Sequence, residues 1–136
     1  MPRLNAILET SLYVADLERA VAFYRRVLEL PLLDRDDRFA AFDVPGRQVL
    51  LLFVRGGTTR PIALRGGTIP PHDGDGPLHV AFSVDAGEMG AWEEHLGREN
   101  VPIESRVTWS DRDRSLYFRD PDGHLVELAT PGLWWR

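Results

Sequence analysis

Three side chains able to hold a divalent cation, Glu9, His79 and Glu127, stand at places that strand alternation turns the same way. With no cysteine in the chain, chemistry must come from histidine, carboxylates, hydroxyls or a bound cofactor. In ETSLYV, Glu9, Ser11 and Tyr13 share one side, and Leu12 and Val14 share the other. In HVAFSV, His79, Ala81 and Ser83 lie opposite the apolar row Val80, Phe82 and Val84. In LVELA, Glu127 shares a side with Leu125 and Ala129, while Val126 and Leu128 form the apolar side. A carboxylate thus projects where an apolar side chain would cost less. The pattern predicts one imidazole and two carboxylates converging on a cleft. A plainer reading competes with it: a lone cleft histidine is often structural, with carboxylates as its hydrogen-bond partners.

Other polar groups surround this set. Ser115, Tyr117 and Arg119 alternate onto one side of a strand and supply a hydroxyl, a phenol and a cation for an anionic ligand. With Trp109 they are the expected substrate-binding residues, and Tyr117 and Glu9 the expected catalytic ones. His124 alternates away from Glu127 and is expected at the surface or behind the ligands. His72, in a Gly/Pro-rich connection, and His95, on a helix, are expected to be exposed.

These residues need elements to position them. A strand over residues 6–14 leads to Asp16, a candidate helix N-cap. Leu17, Ala20, Val21, Tyr24, Val27 and Leu28 recur at helical spacing and stop before Pro31. Strands follow over residues 32–35, 39–43 and 48–54, the last two joined by Val44-Pro45-Gly46. Residues 55–77 are dense in Gly and Pro, with one extended piece at 61–64. The second half repeats the first: a strand over 78–84, Asp85 as a cap, a helix through Trp92 and Leu96 ending near Asn100, then strands over 103–108, 115–119 and 125–129. Glu9 and His79 are equivalent in this repeat, each five residues before a valine. Taking Gly46 against Gly123, the counterpart of Glu127 is Leu50. The fold class expected is α+β: two paired βαβββ modules, over about residues 6–54 and 78–131, forming a cleft in one domain spanning 1–136, with a tail at 132–136.

Composition narrows the function. A chain of 136 residues, 43% hydrophobic, suits one compact domain, and a net charge of -5 without a basic run argues against a nucleic-acid partner. The first residues carry no long apolar stretch, so a soluble, cytoplasmic protein without membrane association is expected. Trp134 and Trp135 would be costly to leave in water, so a dimer contact or a lid is expected there.

The blocks Leu12-Tyr13-Val14-Ala15-Asp16-Leu17, Phe23-Tyr24-Arg25-Arg26-Val27-Leu28 and His79-Val80-Ala81-Phe82, with the long run from Ser115 to Leu128, resemble the vicinal oxygen chelate superfamily. This group, with the glyoxalase/bleomycin resistance/dioxygenase fold, includes glyoxalase I, extradiol dioxygenases, and fosfomycin- and bleomycin-resistance proteins. The resemblance implies a divalent metal held by Glu9, His79 and Glu127. Glu9 departs from the His or Gln common at the first ligand place. One His with two carboxylates leaves an octahedral ion open places for water or a chelating substrate, suiting Fe(II) or Mn(II) first and Zn(II) or Ni(II) second. The function so implied is a metal-dependent lyase, isomerase or dioxygenase that chelates vicinal oxygens of a small-molecule substrate, as a homodimer. Two other readings stay open: metal-free sequestration of a drug, as in bleomycin resistance, and a fosfomycin-type thiol transferase, for which Tyr117 fits.

Overall fold

A computed structural model describes residues 1–135. Arg136, the last residue of the expected tail, lies outside the described residues. The chain divides into two compact units, one from Met1 to Asp75 and one from Gly76 onward. The first contains β1 (Glu9–Val14), α1 (Leu17–Val27), β2 (Leu32–Arg35), β3 (Phe39–Val44), β4 (Gln48–Val54) and a hairpin of β5 (Ile62–Leu64) and β6 (Gly67–Ile69). The second contains β7 (His79–Ser83), a 3₁₀ turn (Ala86–Glu88), α2 (Met89–Arg98), β8 (Ser105–Thr108), β9 (Arg114–Arg119), β10 (Leu125–Ala129) and a 3₁₀ turn (Pro131–Leu133).

The two main sheets have the same order, β1-β4-β3-β2 and β7-β10-β9-β8, with the first strand of each parallel to its last. The α+β class and the βαβββ repeat are therefore those expected. Asp16 caps α1 as its type and spacing require: its backbone is extended and its side chain accepts the Arg19 N–H at 3.0 Å. The periodic face of α1 buries Leu17, Ala20, Val21, Tyr24 and Val27 toward β3 and β4, where Phe42, Leu50 and Leu52 complete the core. In the second unit Leu116, Phe118, Val126 and Leu128 form the matching buried row, with Leu96 of α2 fully buried. Among the described residues no helix is long and apolar enough to cross a membrane.

Several boundaries differ from the sequence reading. The strand β1 starts at Glu9 and leaves Ile7 and Leu8 exposed. In the connection, β6 escapes notice because Gly66, Gly67 and Thr68 carry no apolar alternation, yet it pairs along β5. Asp85 precedes a 3₁₀ turn without a side-chain cap bond, so α2 begins only at Met89. Trp92 and His95 are half-buried, their rings 5.6 Å apart.

The internal equivalence also needs a correction. Glu9 pairs with Val49 and Ser11 with Leu51, as His79 pairs with Leu125 and Ala81 with Glu127. The counterpart of Glu127 is therefore Leu51, not Leu50, which is buried on the helix side. The register aligns Pro45 with Pro121 and Arg47 with Gly123, and the latter two carry the matching positive φ of 60° and 83°. Matching glycine to glycine slipped the count by one, because here an arginine occupies the left-handed position.

Two histidines outside the ligand set are held by specific bonds. His124 is fully buried, not at the surface, and its Nδ1 accepts the Leu78 N–H at 2.8 Å, tying the start of β7 to the turn before β10. His72 is exposed but not idle: its Nδ1 bonds the Tyr13 hydroxyl, and its carbonyl accepts the Thr58 hydroxyl at 2.5 Å. The connection is thereby pinned over the Tyr13 end of β1. A Cβ on Gly74 would collide with the Tyr13 ring.

Candidate metal centre

The parallel pairing of β7 with β10 puts His79 and Glu127 on one sheet face, two register places apart. Their side chains meet, with His79 Nε2 3.1 Å from Glu127 Oε1. The other ring nitrogen, Nδ1, lies 3.0 Å from the Leu125 carbonyl oxygen. A carbonyl can only accept, so Nδ1 carries a proton. In the neutral ring Nε2 is then a lone pair aimed at a carboxylate oxygen, and two acceptors at that distance repel. A positive species is needed there, either a proton on the imidazole or a cation shared by both groups. An imidazole whose N–H is held by a carbonyl while its free nitrogen faces a carboxylate is the arrangement that suits a metal.

The carboxylate is fixed from behind. Ser115 Oγ donates to Glu127 Oε2 at 2.5 Å, and Trp109 Nε1 donates to Ser115 Oγ at 2.9 Å. The directions follow from chemistry, because an indole only donates and a carboxylate only accepts. Glu127 and Ser115 are buried, at 6% and 1% exposure, while the His79 side chain is 49% exposed. One carboxylate oxygen is thus occupied in the interior, and Oε1 is left for the open side.

Tyr117, in register with Glu127 on β9, stacks its ring over His79 at 6.4 Å between centroids and 30° between planes. Burial, and then the Glu127 charge, push its phenol above the ordinary value, so it stays protonated well past neutral pH as a hydrogen-bond donor. The three side chains open onto a pocket of about 640 Å³, whose outer walls include Trp109, Trp134 and Trp135.

The expected site residues are thus placed unequally. His79, Glu127, Tyr117 and Trp109 share one pocket, and Ser115 lies beneath it as a support for Glu127. Arg119, expected to bind substrate, is not on the pocket wall. Its guanidinium grips Glu104 at 3.0 and 3.1 Å and donates to the Gly123 carbonyl at 3.0 Å. That bidentate pairing holds the Glu104 carboxyl below its ordinary range. Glu9 is exposed at the start of β1. Among the described residues no three His, Cys, Asp or Glu side chains form a metal-holding group, and His79 with Glu127 is the pair of expected ligands that meets. Sequence reasoning missed Asp113, whose carboxylate accepts from Ser110 and Thr130, both at 2.9 Å. Nothing in the spacing of WSDRDR marks it.

A family model described as Glyoxalase/Bleomycin resistance protein/Dioxygenase superfamily matches residues 4–128. The chain is 28% identical to a metallothiol transferase FosB of Staphylococcus saprophyticus over 96% of this chain and 80% of that one. It is 32% identical to a metallothiol transferase FosB of Lysinibacillus sphaericus over 88% of this chain and 78% of that one. Among solved structures, lactoylglutathione lyase from Agrobacterium tumefaciens superimposes with a TM-score of 0.88 at 35% identity, covering 98% of both chains.

Proposed function

The chain belongs to the Glyoxalase/Bleomycin resistance protein/Dioxygenase superfamily, and on that premise we propose that it is a divalent-metal-dependent enzyme acting on a small molecule with two adjacent oxygens. The observation that carries the reading is the His79 Nε2 lone pair facing Glu127 Oε1 across 3.1 Å with both groups locked from behind. Glu9 supplies the third protein donor, from the same chain or from a second copy. It stands in the first unit where His79 stands in the second. Two carboxylates and one imidazole suit Mn(II) or Fe(II) before Zn(II) or Ni(II). The cation, when bound, supplies Lewis-acid stabilisation of charge that develops on a chelated oxygen.

The chain's own groups do the rest. His79 and Glu127 fix the direction from which a ligand is held, and the Ser115 bond keeps Glu127 from turning away. The Tyr117 O–H, stacked beside His79, donates to a substrate oxygen and orients it. The tryptophan walls offer apolar surface against which a bound molecule can pack. One kind of relative named above is a metallothiol transferase and the other a lyase named for a glutathione thioester, which favours thiol-transfer or lyase chemistry over dioxygen chemistry. Metal-free drug sequestration is the second reading, and the apolar walls favour it.

The experiment incubates chain loaded with Mn(II), Fe(II), Ni(II) or Zn(II) with methylglyoxal plus glutathione, or with fosfomycin plus glutathione or cysteine. Gain of thioester absorbance in the first mixture, or loss of free thiol in the second, is followed. Turnover that needs both the ion and Tyr117 supports the reading. Absence of turnover together with absence of ion uptake removes it.

A further inference from the structure

His124 carries an imidazole that is fully buried away from the pocket walls, and the chemistry proposed above makes no use of it. Burying such a ring costs free energy unless its polar atoms are bonded. Its Nδ1 accepts the Leu78 N–H at 2.8 Å, so the proton of the neutral ring is on Nε2. That bond fills a gap which the strand pairing leaves. His79 pairs with Leu125, and this register sets Leu78 against His124 itself. In a parallel pair a residue takes the N–H one place after its partner and gives its own N–H to the carbonyl one place before. The first bond is made, from the Leu125 N–H to the Leu78 carbonyl at 2.8 Å. The second would need the Gly123 carbonyl, but Gly123 turns at φ +83° and its carbonyl accepts from Arg119 at 3.0 Å. The His124 ring replaces the backbone acceptor that the turn removes.

The peptide so held carries a ligand of the proposed centre. As an edge strand β7 is held in its sheet from the β10 side, and the chain reaches it through Gly74, Gly76 and Pro77. Residues 124 and 125 grip its start at three points: the N–H and the carbonyl of Leu78, and His79 Nδ1, which lies 3.0 Å from the Leu125 carbonyl oxygen. His124 is in turn seated by the buried Asp120, whose Oδ1 accepts the N–H groups of Asp122 and His124 at 2.9 Å each. Glu127 follows on the same strand. In the first unit the rung from the Val49 N–H to the Leu8 carbonyl recurs at 2.8 Å, but Gln48 stands in the place of His124 and Leu8 is exposed. The buried imidazole thus belongs to the unit that carries His79. Resting on the metal reading above, we propose that His124 is a positioning residue of the metal centre. By replacing the missing acceptor it fixes the backbone from which His79 meets Glu127.

Substitutions separate the bond from the space the ring fills. The oxygen of an asparagine hangs from Cγ as Nδ1 does, so His124→Asn keeps an acceptor at the same reach. His124→Gln carries its oxygen one bond further, and His124→Leu carries none. Mn(II) affinity of each full chain is measured by calorimetry beside the thermal midpoint of the ion-free chain. A ring that only filled space would move the midpoint and leave the affinity of folded chain unchanged. His124→Asn should stay within about 3-fold of the parent, and the other two should bind roughly 10- to 100-fold more weakly, the cost of losing a group that orients a metal ligand. Hydrogen exchange at Leu78 in the parent, read by mass spectrometry, needs no variant to fold. Linkage requires that a bond which helps the ion to bind is itself strengthened by the ion, so Mn(II) should slow that amide about 10-fold or more beyond any slowing at α1. Parent-like affinity in His124→Leu, His124→Asn as weak as His124→Leu, or exchange at Leu78 indifferent to bound Mn(II) overturns the proposal and spares the metal reading. A parent chain that binds no Mn(II) overturns both.

Discussion

At the residue scale the account turns on which atom holds which proton. His79 Nδ1 is committed to the Leu125 carbonyl, Glu127 Oε2 to Ser115, and Ser115 to Trp109. Removing the hydroxyl in Ser115→Ala frees Glu127 to rotate and leaves one carboxylate oxygen buried without its donor. Mn(II) affinity measured by calorimetry should drop roughly 10- to 100-fold, the usual cost of losing a group that orients a metal ligand. An unchanged affinity would mean that Glu127 is held by the sheet alone. Tyr117 offers a second check. In the metal-free chain its phenol ionises above the ordinary value of 10.0, so an ultraviolet titration should lose one component above that value in Tyr117→Phe. Because the folded value lies above the unfolded one, this group costs no stability below pH 10 and lowers it as pH rises from there through the folded value. A cation placed at His79 and Glu127 favours the phenolate, so Mn(II) loading should move that component downward.

At the scale of elements, the pocket depends on two segments that leave the sheet at its β9 and β10 ends. Gly132→Ala would push the Asp113 carboxylate out of place and loosen both. We expect a fall in stability of about 1–3 kcal/mol, the range for overpacking, with greater solvent quenching of tryptophan fluorescence. No change in either would contradict the role given to Asp113. These segments are also where sequence reasoning stopped. The helix α1 was legible because Asp16, the apolar spacing and Pro31 agree with one another. The faces of β1, β7 and β10 were legible because a period of two cannot be mistaken once one side is apolar. The hydrogen bonds of Trp109, Ser115 and Asp113 were not legible, because they join residues brought together by loop geometry. Arg119 illustrates the limit: alternation gave its side correctly, but Glu104, on the segment before β8, captures the guanidinium. The Leu50 assignment failed for a related reason, since a positive φ at Arg47 disguised the equivalent of Gly123.

At the scale of the whole molecule, His79 and Glu127 meet within the second unit, and Glu9, the third donor of the proposal, is an exposed residue of the first. The proposal expects a homodimer, with Glu9 as ligand. Light scattering at micromolar concentration should give twice the chain mass of 15.4 kDa. Glu9→Gln should weaken ion binding before it affects any later step, whereas full ion occupancy with turnover lowered roughly 100-fold would make Glu9 a proton acceptor instead. The most direct measurement is ion stoichiometry. Purified chain is incubated with Mn(II), Fe(II), Ni(II) or Zn(II), dialysed, and analysed for metal beside His79→Ala. The account predicts about one ion per chain and a loss in the variant exceeding the roughly 10- to 100-fold cost of an outer-shell change. A chain that retains no ion, or a variant that binds as tightly as the parent, would contradict it.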